Sequence, residues 1–497
     1  MPALDLASSK NNTKSKSKSK SKSKSKFKPK TLSVFGLVMI NVIAIDSLRS
    51  LPLSAVYGTS LIFYYLLVAV LFFLPSAFVA AELATGWPQE GGIYVWTREA
   101  FGKKIGFLTI WLQWFYNLCW YPTIMTLVAA VIAYLINPNL IHHKFYIFFT
   151  VLILFWGATL INLLGMKISS FFSTLSAIIG TLLPIGFIIL LAFIWLITGH
   201  QSAISFSHWK DFLPDLSNFR NLTLLTAMLY GLVGMEMSAT HALDVKNPQR
   251  DYPKAMIWST VIILLSMILG SLAVAMVVPP QQLNIISGLL EAFRLFFQAF
   301  DLNFLMPVLA LLIILGALGG VSAWILSPSR GLLIAAQDGS LPKYLAKPNK
   351  NGIPARILII QAVLFSILSA LFLFMHSVSS CFWVLTDITA ILSLIVYLLM
   401  FSGCIILRYK KPHIHRSFKI PFGKPGLWAF SLLGFFSCLF TIIIGFFPPT
   451  QINIGNLFTY ESILIIGVLI GCLAPFIISF NFKKIKNKNI SHATSVS

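Results

Sequence analysis

The sequence predicts an all-α, polytopic membrane protein of about twelve transmembrane helices. Three observations carry this expectation. The 497 residues are 57% hydrophobic and only 10% charged, with mean hydropathy +0.84, a balance that soluble globular chains lack. Apolar runs of roughly 20 residues, the length that crosses a bilayer, recur along the chain. The basic residues between those runs collect in alternate loops.

Residues 1–30 hold ten lysines, with a Lys-Ser alternation from Lys14 to Lys26. Apolar residues are too few there to offset the entropy of folding, so a disordered, solvated tail is expected. One reading is a tail that fixes orientation. Another is an anchor on anionic lipid, worth about 1 kcal/mol per lysine near the surface.

The apolar runs lie near 32–56, 61–84, 106–135, 146–165, 171–198, 222–243, 255–279, 303–328, 355–376, 380–407, 426–448 and 459–480. They define one transporter-like domain over 31–480, followed by a short tail, 481–497. Basic clusters fall after every second run: Arg98, Lys103 and Lys104; Lys246, Arg250 and Lys254; Lys343, Lys347, Lys350 and Arg356; Arg408 to Lys424; then Lys483 to Lys488. The intervening loops hold only scattered cations. This is the positive-inside pattern with both termini cytoplasmic, and it fits a multi-pass protein of a bacterial inner membrane. The net charge of +22 is thus a topology signal, and no nucleic-acid partner is expected.

The first run follows a long basic tail and is followed by no small-residue cleavage site, so no signal peptide is expected. Cys119, Cys381, Cys404, Cys438 and Cys472 are scattered through apolar runs and read as small buried hydrophobes. No nucleophile–base pair, phosphate loop or metal-spaced cluster stands out. Neither enzyme activity nor a cofactor is expected, and ATP-driven transport by this chain is disfavoured.

Two runs are interrupted. The first reads LSVFGLVMINVIAIDSLRSLPLSAVYG. It places Asp46 and Arg49 within hydrocarbon, where each alone costs about 2.5–3.5 kcal/mol. At i, i+3 they can neutralise each other if the helix continues. Alternatively, Ser47, Ser50 and Pro52 open the helix, so that Arg49 meets an anionic group and Asp46 an ammonium or a proton. The sixth run breaks at Gly231, Gly234, Glu236, Ser238, Thr240 and His241. The glycines let the chain unwind and expose carbonyls. Glu236 is either a carboxyl satisfied by freed backbone amides or a proton carrier; His241 suits a role at the end of the span. Irregular backbone is tolerated at membrane depth where it lines a cavity, and broken helices hold polar substrates in transporters. The breaks stand five spans apart, as in two inverted five-helix repeats with two further helices outside them.

Other features read as structural. Gly91 and Gly92 permit a tight turn, and Tyr94 and Trp96 suit an interfacial helix at headgroup level. Glu82 suits pairing with a loop cation. Trp324 lies among Gly319, Gly320, Ser322 and Ala323, which allow either close packing or a cavity beside the ring. Asp387 is a further intramembrane acid. Trp111, Trp114, Tyr116, Trp120 and Tyr121 read as packing residues.

Three segments, AAELATGWPQEGGIYVW, GMEMSATHALDVKNPQRDYPKAM and AWILSPSRGLLIAAQDGSLP with KNGIP following, carry a resemblance. The chain resembles the amino acid–polyamine–organocation superfamily over essentially its whole length after residue 30. The SATH, RDYP and WILSPSRG elements look most like the glutamate/GABA antiporter branch. The resemblance implies a site between spans one and six and alternating access. It implies that first-span amides hold a substrate carboxylate and sixth-span carbonyls its amine. By motif, Glu236 matches a glutamate that couples gating to protonation, Tyr230 an aromatic gate, and Trp324 a tryptophan that stacks on substrate. The departure is Ile45-Asp46-Ser47-Leu48-Arg49, where relatives carry a small, Gly/Ser-rich break.

The expected function is therefore proton-linked secondary transport of an amino acid or related amine, by antiport or alternatively by symport. A non-transporting receptor of the same fold is the reading from another class. The expected substrate residues are Asp46, Ser47, Arg49, Tyr230, Gly231, Gly234 and Trp324, with Glu236 in proton coupling or gating.

Overall fold

A computed structural model describes residues 32–89, 91–164, 175–176, 178–214, 222, 224–238, 245–447 and 455–494. The N-terminal tail and His241 lie outside the described residues. Among the described residues, ten helices are long and apolar enough to cross a membrane: Gly58–Gly86, Lys103–Ile136, Lys144–Leu164, Ile178–Ile197, Pro248–Val277, Asn303–Gln337, Ala355–Phe374, Val378–Lys410, Gly423–Ile444 and Leu457–Ile478. Two further apolar segments are broken. Val34–Ile45 is followed by Ser50–Ala55, and Leu224–Tyr230 is followed by an irregular stretch through 238. Counted in chain order, these are spans one and six, and the described residues form twelve spans. The helix of span twelve continues to Thr494, through most of the expected tail.

The first break has a local cause. Asp46 closes the first half-helix by donating its backbone N–H to the Val42 carbonyl at 2.7 Å, then leaves helical geometry at φ −63°, ψ 117°. Pro52 has no N–H to offer the Leu48 carbonyl, so an unbroken ladder cannot pass through it. In the first turn of Ser50–Ala55 that missing donor is harmless. In span six, Leu232 and Val233 donate three residues back, to Leu229 and Tyr230. Gly234 then takes φ +137°, a region that L side chains rarely adopt.

The packing pairs occur as pseudo-symmetric mates. If span n of the first five corresponds to span n+5, the pair three–ten should be mirrored by eight–five, one–seven by six–two, and four–eight by nine–three. All six pairs are in contact. Spans three and ten form the interior of the bundle: 72% and 67% of their most apolar windows are buried against protein, compared with 17% for span twelve. Close backbone approach lets span five pack on span eight, where Gly180 and Gly316 meet with no room for a Cβ on either.

At the end bearing the basic loops, polar ties join the spans. Glu82, 1% exposed, accepts Arg408 Nε at 2.7 Å and the Ile420 backbone N–H at 2.9 Å, and Arg416 lies 3.6 Å away. The aromatic residues of the short helix Ile93–Phe101 face protein. Tyr94 and Trp96 are fully buried, because the Gly91 and Gly92 turn (φ +108° and +45°) lays the helix against spans three and ten. Asp338, just after span eight, accepts from the Tyr94 hydroxyl at 2.7 Å and from Arg98 at 2.6 Å. Burial alone would raise the Asp338 carboxyl, but those two hydrogen bonds outweigh it and hold it below its ordinary range. Glu99 pairs with Lys411, which likewise holds its carboxyl low. The cysteines are free; four are buried and Cys472 is half-buried.

Candidate functional site

The two breaks touch. A Cβ built on Gly231 would lie 3.5 Å from Ser50 Oγ, and one on Gly234 only 2.9 Å from Ile45 Cγ1. Beside this contact, Ser47, Arg49, Tyr230, Gly231 and Trp324 line one cavity, together with Tyr116, Asn117 and Trp120 of span three. Five expected substrate residues are therefore brought together. Asp46 faces an adjoining cavity with Thr181, Gly316 and Gly320, and Ser47 and Trp120 border both. Gly234 and Glu236 line neither; they stand behind the break.

Asp46 and Arg49 do not form the self-neutralising pair that continuous helix would permit. The helix ends between them and sends them apart. Asp46, 4% exposed, accepts the Ser266 hydroxyl of span seven with both carboxylate oxygens, at 2.9 and 2.8 Å. Arg49, also 4% exposed, donates to Thr123 Oγ1 at 3.1 Å and to Thr386 Oγ1 at 3.4 Å. Its guanidinium carbon lies 6.0 Å from the Tyr230 ring centre and 5.4 Å from that of Phe382, within cation–π range. Among the described residues, its Nε has no hydrogen-bond partner, and neither has the Tyr116 hydroxyl. A buried guanidinium without a carboxylate is an uncompensated charge. Chemically, the cavity presents a cation, orphaned donors and aromatic walls.

Trp324 lines the same cavity. Its indole N–H donates to the Ala44 carbonyl at 3.2 Å, capping an orphan acceptor at the end of the first half-helix. Its ring lies 5.9 Å from Trp120 and 6.4 Å from Tyr116.

Glu236, 1% exposed, accepts from Gln113 Nε2 at 3.2 Å and from the Tyr397 hydroxyl. That same hydroxyl accepts the Gly234 backbone N–H at 2.9 Å. Tyr397 thus links the carboxylate to the unwound backbone. Sequence reasoning missed Gln113, Thr123, Ser266, Thr386 and Tyr397, which come from other spans and sit in ordinary apolar patterns. Tyr116 and Trp120, read as packing residues, line the cavity; their clustering in one span was the available signal. Asp387 finds its partner in Tyr460 of span twelve, at 2.7 Å.

The family model described as amino acid permease matches residues 30–469. The chain belongs to the amino acid permease family. The permease is similar to an uncharacterized transporter of Legionella pneumophila, with 49% identity over 90% of this chain and 96% of that one. It is 31% identical to a glutamate/gamma-aminobutyrate antiporter of Lactococcus lactis, over 90% of both chains. It is 23% identical to a probable agmatine/putrescine antiporter of the same species, over 76% of this chain and 79% of that one. Membership makes the permease a multi-pass membrane protein of an amino-acid-transporting family.

Proposed function

We propose that this permease is a proton-linked amino acid antiporter of the bacterial inner membrane, with both termini cytoplasmic, working by alternating access around the two breaks. The observation that supports this most directly is Arg49, a buried guanidinium that lines the central cavity without a carboxylate partner among the described residues. A substrate carboxylate there would gain a charge-assisted hydrogen bond and relieve the uncompensated cation. The substrate amine would meet carbonyls of the unwound segment beginning at Gly231, and Trp324 would close over the bound molecule. Asp46 is turned toward Ser266, so it does not oppose the carboxylate.

Glu236 would carry the proton. Ionised, it holds the Tyr397 hydroxyl, which in turn holds the Gly234 amide. Protonation would weaken that chain and free the unwound segment to move. Exchange rather than symport is the mode carried by the antiporters among the relatives; proton symport remains the second reading, favoured by the same carboxylate.

The test is counterflow in proteoliposomes preloaded with mixed amino acids, offering each labelled amino acid and amine outside at acidic and neutral pH. Accumulation that requires the preload is expected. Accumulation driven only by an imposed proton gradient would replace antiport with symport. No accumulation of any compound would sink the transport reading.

A further inference from the structure

A second polar depression lies at the end of the bundle opposite the basic loops. It is lined by His142, Lys144, Asn284, His376, Ser377 and Ser379. Three segments distant in sequence meet there: the linker between spans three and four, the loop between seven and eight, and the linker between nine and ten. Among the described residues, no acidic residue lines it. Among the described residues, the side chains of His142, Lys144 and His376 make no ion pair or hydrogen bond with protein. The Asn284 Oδ1 atom accepts the backbone N–H groups of Ile286 and Ser287 at 2.9 and 3.2 Å, which leaves its amide NH2 as the remaining donor. Two long helices, Lys144–Leu164 and Val378–Lys410, begin at the rim and add partial positive charge.

Donors and cations thus converge from three elements, with neutral or apolar wall between them. Gly455 also packs against the His376 side chain. Such a convergence fits a small anion. We propose that this depression is a carboxylate-binding site that collects amino acid anions at the mouth of the permease before they reach the central cavity. Its purpose rests on the transport reading, whereas its binding chemistry does not. Held cations at a mouth raise the local concentration of anions and hence their entry rate.

The experiment uses the full chain with nitrogen-15-labelled histidine in two sets of nanodiscs, one of purely zwitterionic lipid titrated with glutarate at pH 6 and one containing anionic phospholipid without glutarate. His142→Gln and His376→Gln assign two of the nine histidine signals. Saturable shifts of those two imidazoles are expected, weakened roughly tenfold by Lys144→Gln, the loss of one charge-assisted contact. Two results would overturn the site: no saturable shift, or a shift that needs anionic phospholipid in the disc and not glutarate. The second result would reassign the depression to a lipid headgroup. Binding is read here without transport, so saturable shifts in a protein that shows no counterflow would leave the site standing and remove only its proposed purpose.

Discussion

Asp46 and Arg49 stand three residues apart in the chain and share no partner among the described residues. Asp46 is bound by Ser266 of span seven, while Arg49 reaches Thr123 of span three and Thr386 of span ten. Opposite charges that close in sequence would normally cancel within hydrocarbon. Here the helix break separates them into two adjoining cavities, so each is available to something other than the chain.

This arrangement predicts additivity. Asp46→Asn and Arg49→Gln should each impair uptake, and the double variant should lose the sum of the two effects. The coupling energy between them should stay within about 0.5 kcal/mol, as for sites with no shared partner. Initial uptake rates in proteoliposomes measure it. Recovery of transport in the double variant would mean that the two residues pair in a state that dominates the cycle.

Arg49→Ala should weaken substrate binding roughly tenfold or more, matching about 1.5–3 kcal/mol for a hydrogen bond to a charged group. Arg49→Lys should not restore it fully, because an ammonium cannot span Thr123 and Thr386 while lying against Tyr230 and Phe382. Equilibrium binding of the substrate found by counterflow is the readout. Unchanged affinity in Arg49→Ala would remove Arg49 from the substrate.

Glu236→Gln should flatten the pH dependence of transport, since an amide cannot change charge. Tyr397→Phe should retain a titrating carboxyl and therefore keep a pH dependence, with its midpoint moved and the maximal rate lowered. A pH–rate profile from pH 5 to 8 separates the two. Matching profiles for wild type and Glu236→Gln would exclude Glu236 as the proton carrier.

Gly234→Ala should be destabilising and should damage transport together with folding. At φ +137°, with a Cβ 2.9 Å from Ile45 Cγ1, the strain is of order 1–3 kcal/mol. Thermal unfolding in detergent reads the loss. A variant as stable as wild type would show that the unwound segment relaxes easily.

The Glu99–Lys411 tie predicts an acid-sensitive contribution to stability. The Lys411 hydrogen bond lowers the Glu99 carboxyl from its ordinary 4.5. A carboxyl depressed in the folded state contributes fully above its unfolded value and loses that contribution as pH falls through the folded one. The melting temperature of wild type should therefore fall more steeply below about pH 4.5 than that of Lys411→Gln. Parallel slopes would show that the pair adds nothing.

Much of the architecture was legible because hydrocarbon is a severe solvent. It forces every span to be apolar and every departure to have a reason. Residues 32–56 and 222–243 announced their breaks through Asp46, Arg49, Pro52, Gly231, Gly234 and Glu236. The partners of those residues were not legible. Gln113, Thr123, Ser266, Thr386 and Tyr397 carry single polar groups in apolar helices, and nothing local distinguishes a hydroxyl that holds Arg49 from one that bonds its own backbone. Nor could spacing reveal that Tyr94 and Trp96 are buried, since the turn at Gly91 and Gly92 decides which way their helix folds.

The sequence by itself determined twelve spans, two of them broken, and the residue types at the breaks, because the cost of polar groups in lipid depends on composition and order alone. Only the tertiary structure decided which charges meet. Whether Asp46 faces Arg49 or Ser266 depends on where the first half-helix stops and which spans pack beside it, and those contacts join residues more than two hundred positions apart.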